Sequence, residues 1–300
     1  MKCLQIHNLR KSFRRDVFAR KVEILKGVEF SLDAGSITAF LGGNGAGKTT
    51  TIKCALSLLF PDSGEILFFD NQPFTQEVKA RIGFLPERTY FYEYLTGLEF
   101  LRFYGELSQK FTARDVKSRA EALIKRVGLE SAADRRLRFY SKGMLQKIGI
   151  AQALIHEPEL LILDEPMSGL DPDGRVAVSE IITDAAKAGA AVFFSSHLIN
   201  DAEKICDRVV MLRDGRTLFE GEIEKLLAES QRGFQLRTVK GTQHFAKQSG
   251  NEVDLQLQLQ KAMSAGEHVV EVAPIRLTLE EIFVSKVLRG ENENTPGDQR

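Results

Sequence analysis

The residues best suited to chemistry are Gly42, Gly43, Asn44, Gly45, Ala46, Gly47, Lys48 and Thr49, which fit the pattern G-x-x-x-x-G-K-[ST]. Glycines let the backbone curl until successive N–H groups point inward, forming a nest sized for an anion. Lys48 adds a positive charge for the outer phosphates, and the Thr49 hydroxyl can ligate Mg²⁺, with Thr50 next to it on the nucleotide side. A second cluster ends the apolar run Leu160–Leu163: Asp164 and Glu165. An Asp at a strand end beside a phosphate site suits Mg²⁺, and the adjacent carboxylate can polarise a water. Two neighbouring acids in a turn are ordinarily just solvated, but these follow a fully apolar strand. His197 follows the apolar run Ala190–Phe194, just past a strand end, where open α/β sheets bind ligands.

These groups need a scaffold. Ser36–Leu41 reads as a buried strand and Thr49–Leu59 as a helix, so the glycine loop lies between strand and helix, whose N-terminus faces the phosphates. Cys3–His7 and Ile24–Leu32 read as strands of an earlier sheet, with a basic link from Lys11 to Val22 carrying Phe13 and Phe18. An aromatic there either stacks on an adenine ring or caps the core. Further strands are expected at Glu65–Phe69, Arg81–Leu85, Arg208–Leu212 and Arg216–Phe219, the last two joined at Asp214-Gly215 as a hairpin. Helical periodicity covers residues 97–107, 112–127, 140–156 and 173–187, with Ser141 as an N-cap. Tyr90, Phe91, Tyr92, Tyr94, Phe100, Phe103 and Tyr104 crowd one stretch, either as core or as a groove for a partner helix.

Beyond about residue 221 the pattern weakens: a strand at Gly233–Val239, a helix favoured over a strand at residues 253–263, a strand at His268–Val272 and a helix from Leu279. The polar end from Gly290 is expected to be disordered. The whole is an α/β fold: a core of mostly parallel sheet flanked by helices, with a small α+β appendage.

Three hundred residues with zero formal net charge give no pull toward nucleic acid or anionic lipid. No apolar run approaches the length of a membrane span, and the start lacks the apolar core of a secretion signal. Cys3, Cys54 and Cys206 are odd in number and far apart, which suits inert thiols in a reducing, cytoplasmic setting.

Taken in order, these motifs resemble the nucleotide-binding subunit of an ABC transporter over residues 1–220. Gly42–Thr49 is similar to Walker A, Leu160–Glu165 to Walker B with its glutamate, and Tyr140–Met144 to the signature L-S-G-G-Q. Ser168–Asp171 resembles the D-loop and His197 the switch histidine. Phe13 is nearest the family's adenine-stacking aromatic, with Phe18 as the alternative. Three departures stand out: Glu87 replaces the Q-loop glutamine, Lys142 a signature glycine, and Met144 the signature glutamine.

The resemblance implies a phosphate-loop ATPase core with an N-terminal antiparallel β subdomain and a helical signature subdomain at about 88–157. The appendage then spans 221–290 and the tail 291–300. It implies Mg-ATP held by Gly42 to Thr50, with Thr49, Asp164 and Glu87 toward the metal. Glu165, His197 and Lys48 would carry catalysis, while Ser141, Gly143 and Asp171 complete the site of a second cassette, either identical or a paralogue. It also implies a membrane permease meeting Tyr90–Tyr104, on the inner face of the membrane. L-P-E with Y-S-K-G-M, and Leu277–Phe283 near the end, are similar to a bacterial exporter branch; an importer is the alternative. Soluble ABC proteins acting on ribosomes or DNA pair two cassettes on one chain or carry a long coiled coil, and neither is present. A non-hydrolysing regulator would not need Glu165 and His197.

Overall fold

The first two strands, β1 (Lys2–Phe13) and β2 (Val22–Asp33), pair antiparallel, and β4 (Ser63–Phe68) joins β1 on its other side. Between them in the chain lie β3 (Ile37–Leu41) and α1 (Lys48–Ala55). The computed structural model describes residues 1–14, 20–239, 241–246 and 255–285; Phe18 and the tail 291–300 lie outside the described residues. The chain forms two compact units, Met1–Glu220 and Gly221–Arg300.

In the first unit α2 (Gln76–Lys79) and β5 (Ile82–Leu85) follow, then α3 (Gly97–Leu107) and α4 (Ala113–Arg126). Two short 3-10 turns, Glu130–Ala132 and Leu137–Phe139, lead into α5 (Lys142–Leu154). The chain then returns to the sheet: β6 (Leu160–Leu163), α6 (Pro172–Lys187), β7 (Ala191–Ser196), α7 (Ile199–Glu203), β8 (Arg208–Arg213) and β9 (Arg216–Glu222). The larger sheet runs β5-β6-β7-β3-β8-β9, and its first five strands pair parallel. Every residue of β3, β6 and β7 is buried, as parallel strands covered on both faces require. Asp214 (φ 48°) and Gly215 (φ 77°) make the two-residue turn from β8 to β9, a geometry that matches strand twist.

The two sheets meet through aromatic rings. Phe30 of β2 lies 5.3 Å from Phe40 of β3 and 5.4 Å from Phe193 of β7, centroid to centroid. Burying such rings is the main stabilising term here, about 1.5–3 kcal/mol for each.

The helical segment hangs on caps. Thr96 and Glu99 form a reciprocal capping box on α3, Thr112 caps α4, and Ser141 caps α5 as expected. The core reading of the aromatic stretch holds for only part of it. Phe100 is buried against Phe91 and Tyr104, whereas Tyr90, Tyr92, Tyr94 and Phe103 are exposed. Cys3 and Cys54 are buried free thiols, and burial pushes Cys3 up to about 11.

Several elements differ from the sequence expectation. α1 ends at Ala55 rather than near residue 59, because Ser57 turns to φ 54°. α2 and α7 are too short to show periodicity. In the second unit α8 (Ile223–Glu229) precedes β10 (Gln231–Thr238), β11 (Gly241–Ala246), α9 (Leu255–Ser264) and β12 (Val269–Arg276). Its antiparallel sheet runs β11-β10-β12, and residues 279–285 are helical. The ambiguous stretch is thus a helix from Leu255. β11, Gly-Thr-Gln-His-Phe-Ala, has no apolar alternation to announce it.

Candidate functional site

The glycine loop leaves the end of β3 and enters α1 through residues with positive φ: Gly45 at 80° and Gly47 at 111°. A Cβ on Gly47 would sit 2.7 Å from Leu25 Cδ2, and one on Gly42 would sit 2.6 Å from the Leu212 carbonyl. Both positions therefore need glycine. Gly47 is the N-cap of α1 and offers no side chain to its amides, so those N–H groups stay available to an anion. Lys48 is buried to 7% exposure, with Nζ 2.7 Å from the Gly42 carbonyl and 3.4 Å from Glu165 Oε1.

Facing the loop is the carboxyl edge of β6 and β7. Asp164 is 2% exposed; its N–H donates to the Leu85 carbonyl, which ties it to the end of β5. Its carboxylate accepts from the Ser195 hydroxyl at 2.6 Å and is hydrogen-bonded to Thr49. Burial raises its pKa, Ser195 and Thr49 oppose that, and the charges of Glu87 and Glu165 add to the rise. Glu165 adopts φ 53°, sparsely populated for a residue with a side chain. Its Oε2 lies 2.7 Å from His197 Nδ1.

A cleft of about 550 Å³ joins these parts. Gly43, Asn44, Gly45, Gly47, Lys48, Thr49 and Thr50 line one side, and Glu87, Glu165, Ser168 and His197 the other, with Ile24 alongside. Gly42 and Ala46 shape the loop from behind. Phe13, at the end of β1 with the Lys11 ammonium 5.4 Å from its ring, is not among the lining residues. Ser141, Gly143 and Asp171 also lie away from the cleft. Ser141 caps α5, Asp171 caps α6, and a Cβ on Gly143 would be 3.6 Å from Leu170. The signature and D-loop segments thus pack on each other, with the Lys142 side chain laid over Gly169.

Sequence reasoning missed Ile24, Ser168 and Ser195. Ile24 is one apolar strand residue among many. Ser168 opens the stretch that resembles the D-loop, without a sequence signal of its own that it lines the cleft. Ser195 carried a signal: a serine at the very end of an apolar strand, beside a carboxylate pair. A second hollow of about 540 Å³ between α4 and the ends of α5 and α6 holds Arg119, Arg126, Glu157 and Glu159, but no glycine nest.

The donors near Lys48 are oxygens: the Thr49 hydroxyl and the Asp164 and Glu87 carboxylates, which suit Mg²⁺. Among the described residues no cluster of three or more His, Cys, Asp or Glu is arranged to hold a metal alone. No helix among the described residues is long and apolar enough to cross a membrane.

Known proteins resemble this chain in sequence and in fold. Residues 25–168 match the ABC transporter family model. An uncharacterized ABC transporter ATP-binding protein of Nostoc is 37% identical over 297 residues, covering 93% of this chain and 88% of that one. A fluoroquinolones export ATP-binding protein of Mycobacterium tuberculosis is 37% identical, covering 69% and 68%. A solved structure of the ATP-binding subunit of an ABC transporter superposes with a TM-score of 0.65 at 30% identity, covering 75% of this chain and 91% of that one. With more than a third of its residues shared over nearly its whole length with an ABC transporter ATP-binding protein, the chain belongs to the ATP-binding subunits of ABC transporters.

Proposed function

We propose that the protein hydrolyses Mg-ATP to drive export through a separate membrane permease, with two cassettes closing head to tail around the nucleotide. The observation that carries the hydrolytic reading is Glu165: one carboxylate oxygen faces Lys48 and the other His197, inside the cleft. The loop amides and Lys48 bind the phosphates, and as they enter they displace Glu165 as the lysine's counter-ion. Glu165, still held by His197, then orients a water and accepts its proton. His197 also meets the γ-phosphate. Thr49, Asp164 and Glu87 would hold Mg²⁺, which neutralises developing phosphate charge when bound. Glu87 in place of an amide can accept but not donate a hydrogen bond.

Ser141, Gly143 and Asp171 serve the second cassette, which accounts for their position outside the cleft. Phe13 stacks on adenine. The cassette is residues 1–220, with residues 221–290 as an accessory domain. The exposed Tyr90, Tyr92, Tyr94 and Phe103 receive a permease segment, which places the protein on the cytoplasmic face of the membrane. The export direction draws support from the similarity to the fluoroquinolones export protein.

The test is Glu165→Gln. We expect ATP affinity to be kept, turnover to fall at least about a hundredfold, and ATP to trap a dimer by size exclusion. Sustained hydrolysis by that variant removes Glu165 from the mechanism.

A further inference from the structure

The β6–β7 ladder ends at the pair Leu163 and Phe194. Asp164 and Glu165 lie one step beyond it, where that ladder no longer positions the chain. Ser195 does remain on a ladder, opposite Phe40 of β3, the strand that carries the glycine loop. Its hydroxyl bridges the gap. Ser195 Oγ donates to Asp164 Oδ1 at 2.6 Å and accepts the Glu165 N–H at 2.8 Å. The residue is wholly buried, so water does not compete for either bond. Two residues on, His197 Nδ1 holds the other end of Glu165 at 2.7 Å. Glu165 is therefore gripped twice from the same strand end, by its backbone and by its carboxylate, while its φ of 53° is one it would not adopt unaided.

We propose that Ser195 is a positioning residue for ATP hydrolysis: one hydroxyl aims the Asp164 carboxylate and fixes the Glu165 backbone, so that both acids move as a unit with β7. A buried serine with a purely structural role would satisfy its own strand or a neighbouring turn. This one spends its donor on one functional carboxylate and its acceptor on the amide of the other. The inference rests on the roles given to Asp164 and Glu165 above. It adds that β7 supplies two controls on the site, Ser195 and His197, and that the serine links the metal-facing acid to the water-facing acid.

Ser195→Thr and Ser195→Val share a shape and differ in the hydroxyl, so the pair separates hydrogen bonding from packing. With both folded by thermal melt, we expect S195V to lose roughly ten- to a hundredfold in kcat against S195T, the scale of a hydrogen bond to a buried charge. KM for ATP should stay within about threefold, since the phosphate nest is untouched. A second readout needs no turnover. In the E165Q background with ATP bound, Mn²⁺ followed by EPR should bind several-fold more weakly with S195V than with S195T. Equal kcat and equal Mn²⁺ affinity for the pair would overturn the proposal. Normal turnover by E165Q would instead remove the underlying assignment of Glu165, so the two failures are told apart.

Discussion

Two helices of the cassette, α1 and α5, both begin on a lysine, Lys48 and Lys142, and neither has an acidic residue in its first turn. The other long helices of this unit, α3, α4 and α6, carry Glu99, Asp115 and Asp173 there, as the helix dipole favours. A cation at a helix N-terminus costs stability, so both starts are shaped for something negative. Beyond that they diverge. α1 is preceded by a glycine at φ 111° inside the cleft, which offers its amides no side-chain cap. α5 is preceded by a serine that caps it, its hydroxyl oxygen 3.3 Å from the Met144 backbone nitrogen, away from the cleft. The first is a whole anion site within one chain. The second has the charge and the helix end but no nest.

The comparison can be broken at its strongest point first. Lys48→Ala should lower ATP affinity at least about a hundredfold, because a nearly buried charge facing the phosphates is removed. Equilibrium binding of a fluorescent nucleotide measures it, and unchanged affinity would undo the assignment of α1. Ser141→Arg should leave nucleotide binding by the isolated cassette within about twofold yet cut turnover more than tenfold. If binding falls in parallel with turnover, α5 acts within its own chain and the contrast fails. Lys142→Glu sharpens the same point: relieving the dipole should raise stability by about 0.3–1 kcal/mol while slowing hydrolysis, read from melting temperature beside ATPase rate.

The smallest effect lies outside both helix starts. His156 follows α5, and its Nε2 is 3.0 Å from the Ile82 carbonyl. Burial lowers its pKa from 6.5, so the unfolded chain takes up a proton before the folded one does. Stability from the neutral ring is complete above about pH 6.5 and is lost as pH falls through the lower folded value. His156→Gln should flatten that acid decline in melting temperature between pH 7 and the acid limb, with little change in ATPase rate at pH 7.5.

Much of the site was legible because its chemistry is local. Glycines at fixed spacing before Lys48, and two acids closing an apolar strand, declare themselves within a few residues. Ile24 was not legible and Ser195 only faintly, as a serine closing an apolar strand, since each matters through what a neighbouring strand brings to it. The aromatic stretch shows the same limit. Its composition allowed core or groove, and the packing of α3 against the helical segment sent Phe100 inward while leaving Tyr90 and Tyr94 outside.

The order of motifs along the chain determined the family, the phosphate nest and the identity of the acids, because backbone curvature and strand burial depend on nearby residue types. Only the folded sheet decided that β6 and β7 end side by side, that Lys48 and His197 share Glu165, and that the signature helix opens away from the cleft. Those relations join residues more than thirty positions apart. Spacing along a chain says nothing of distance in space until hydrogen-bonded strands convert one into the other.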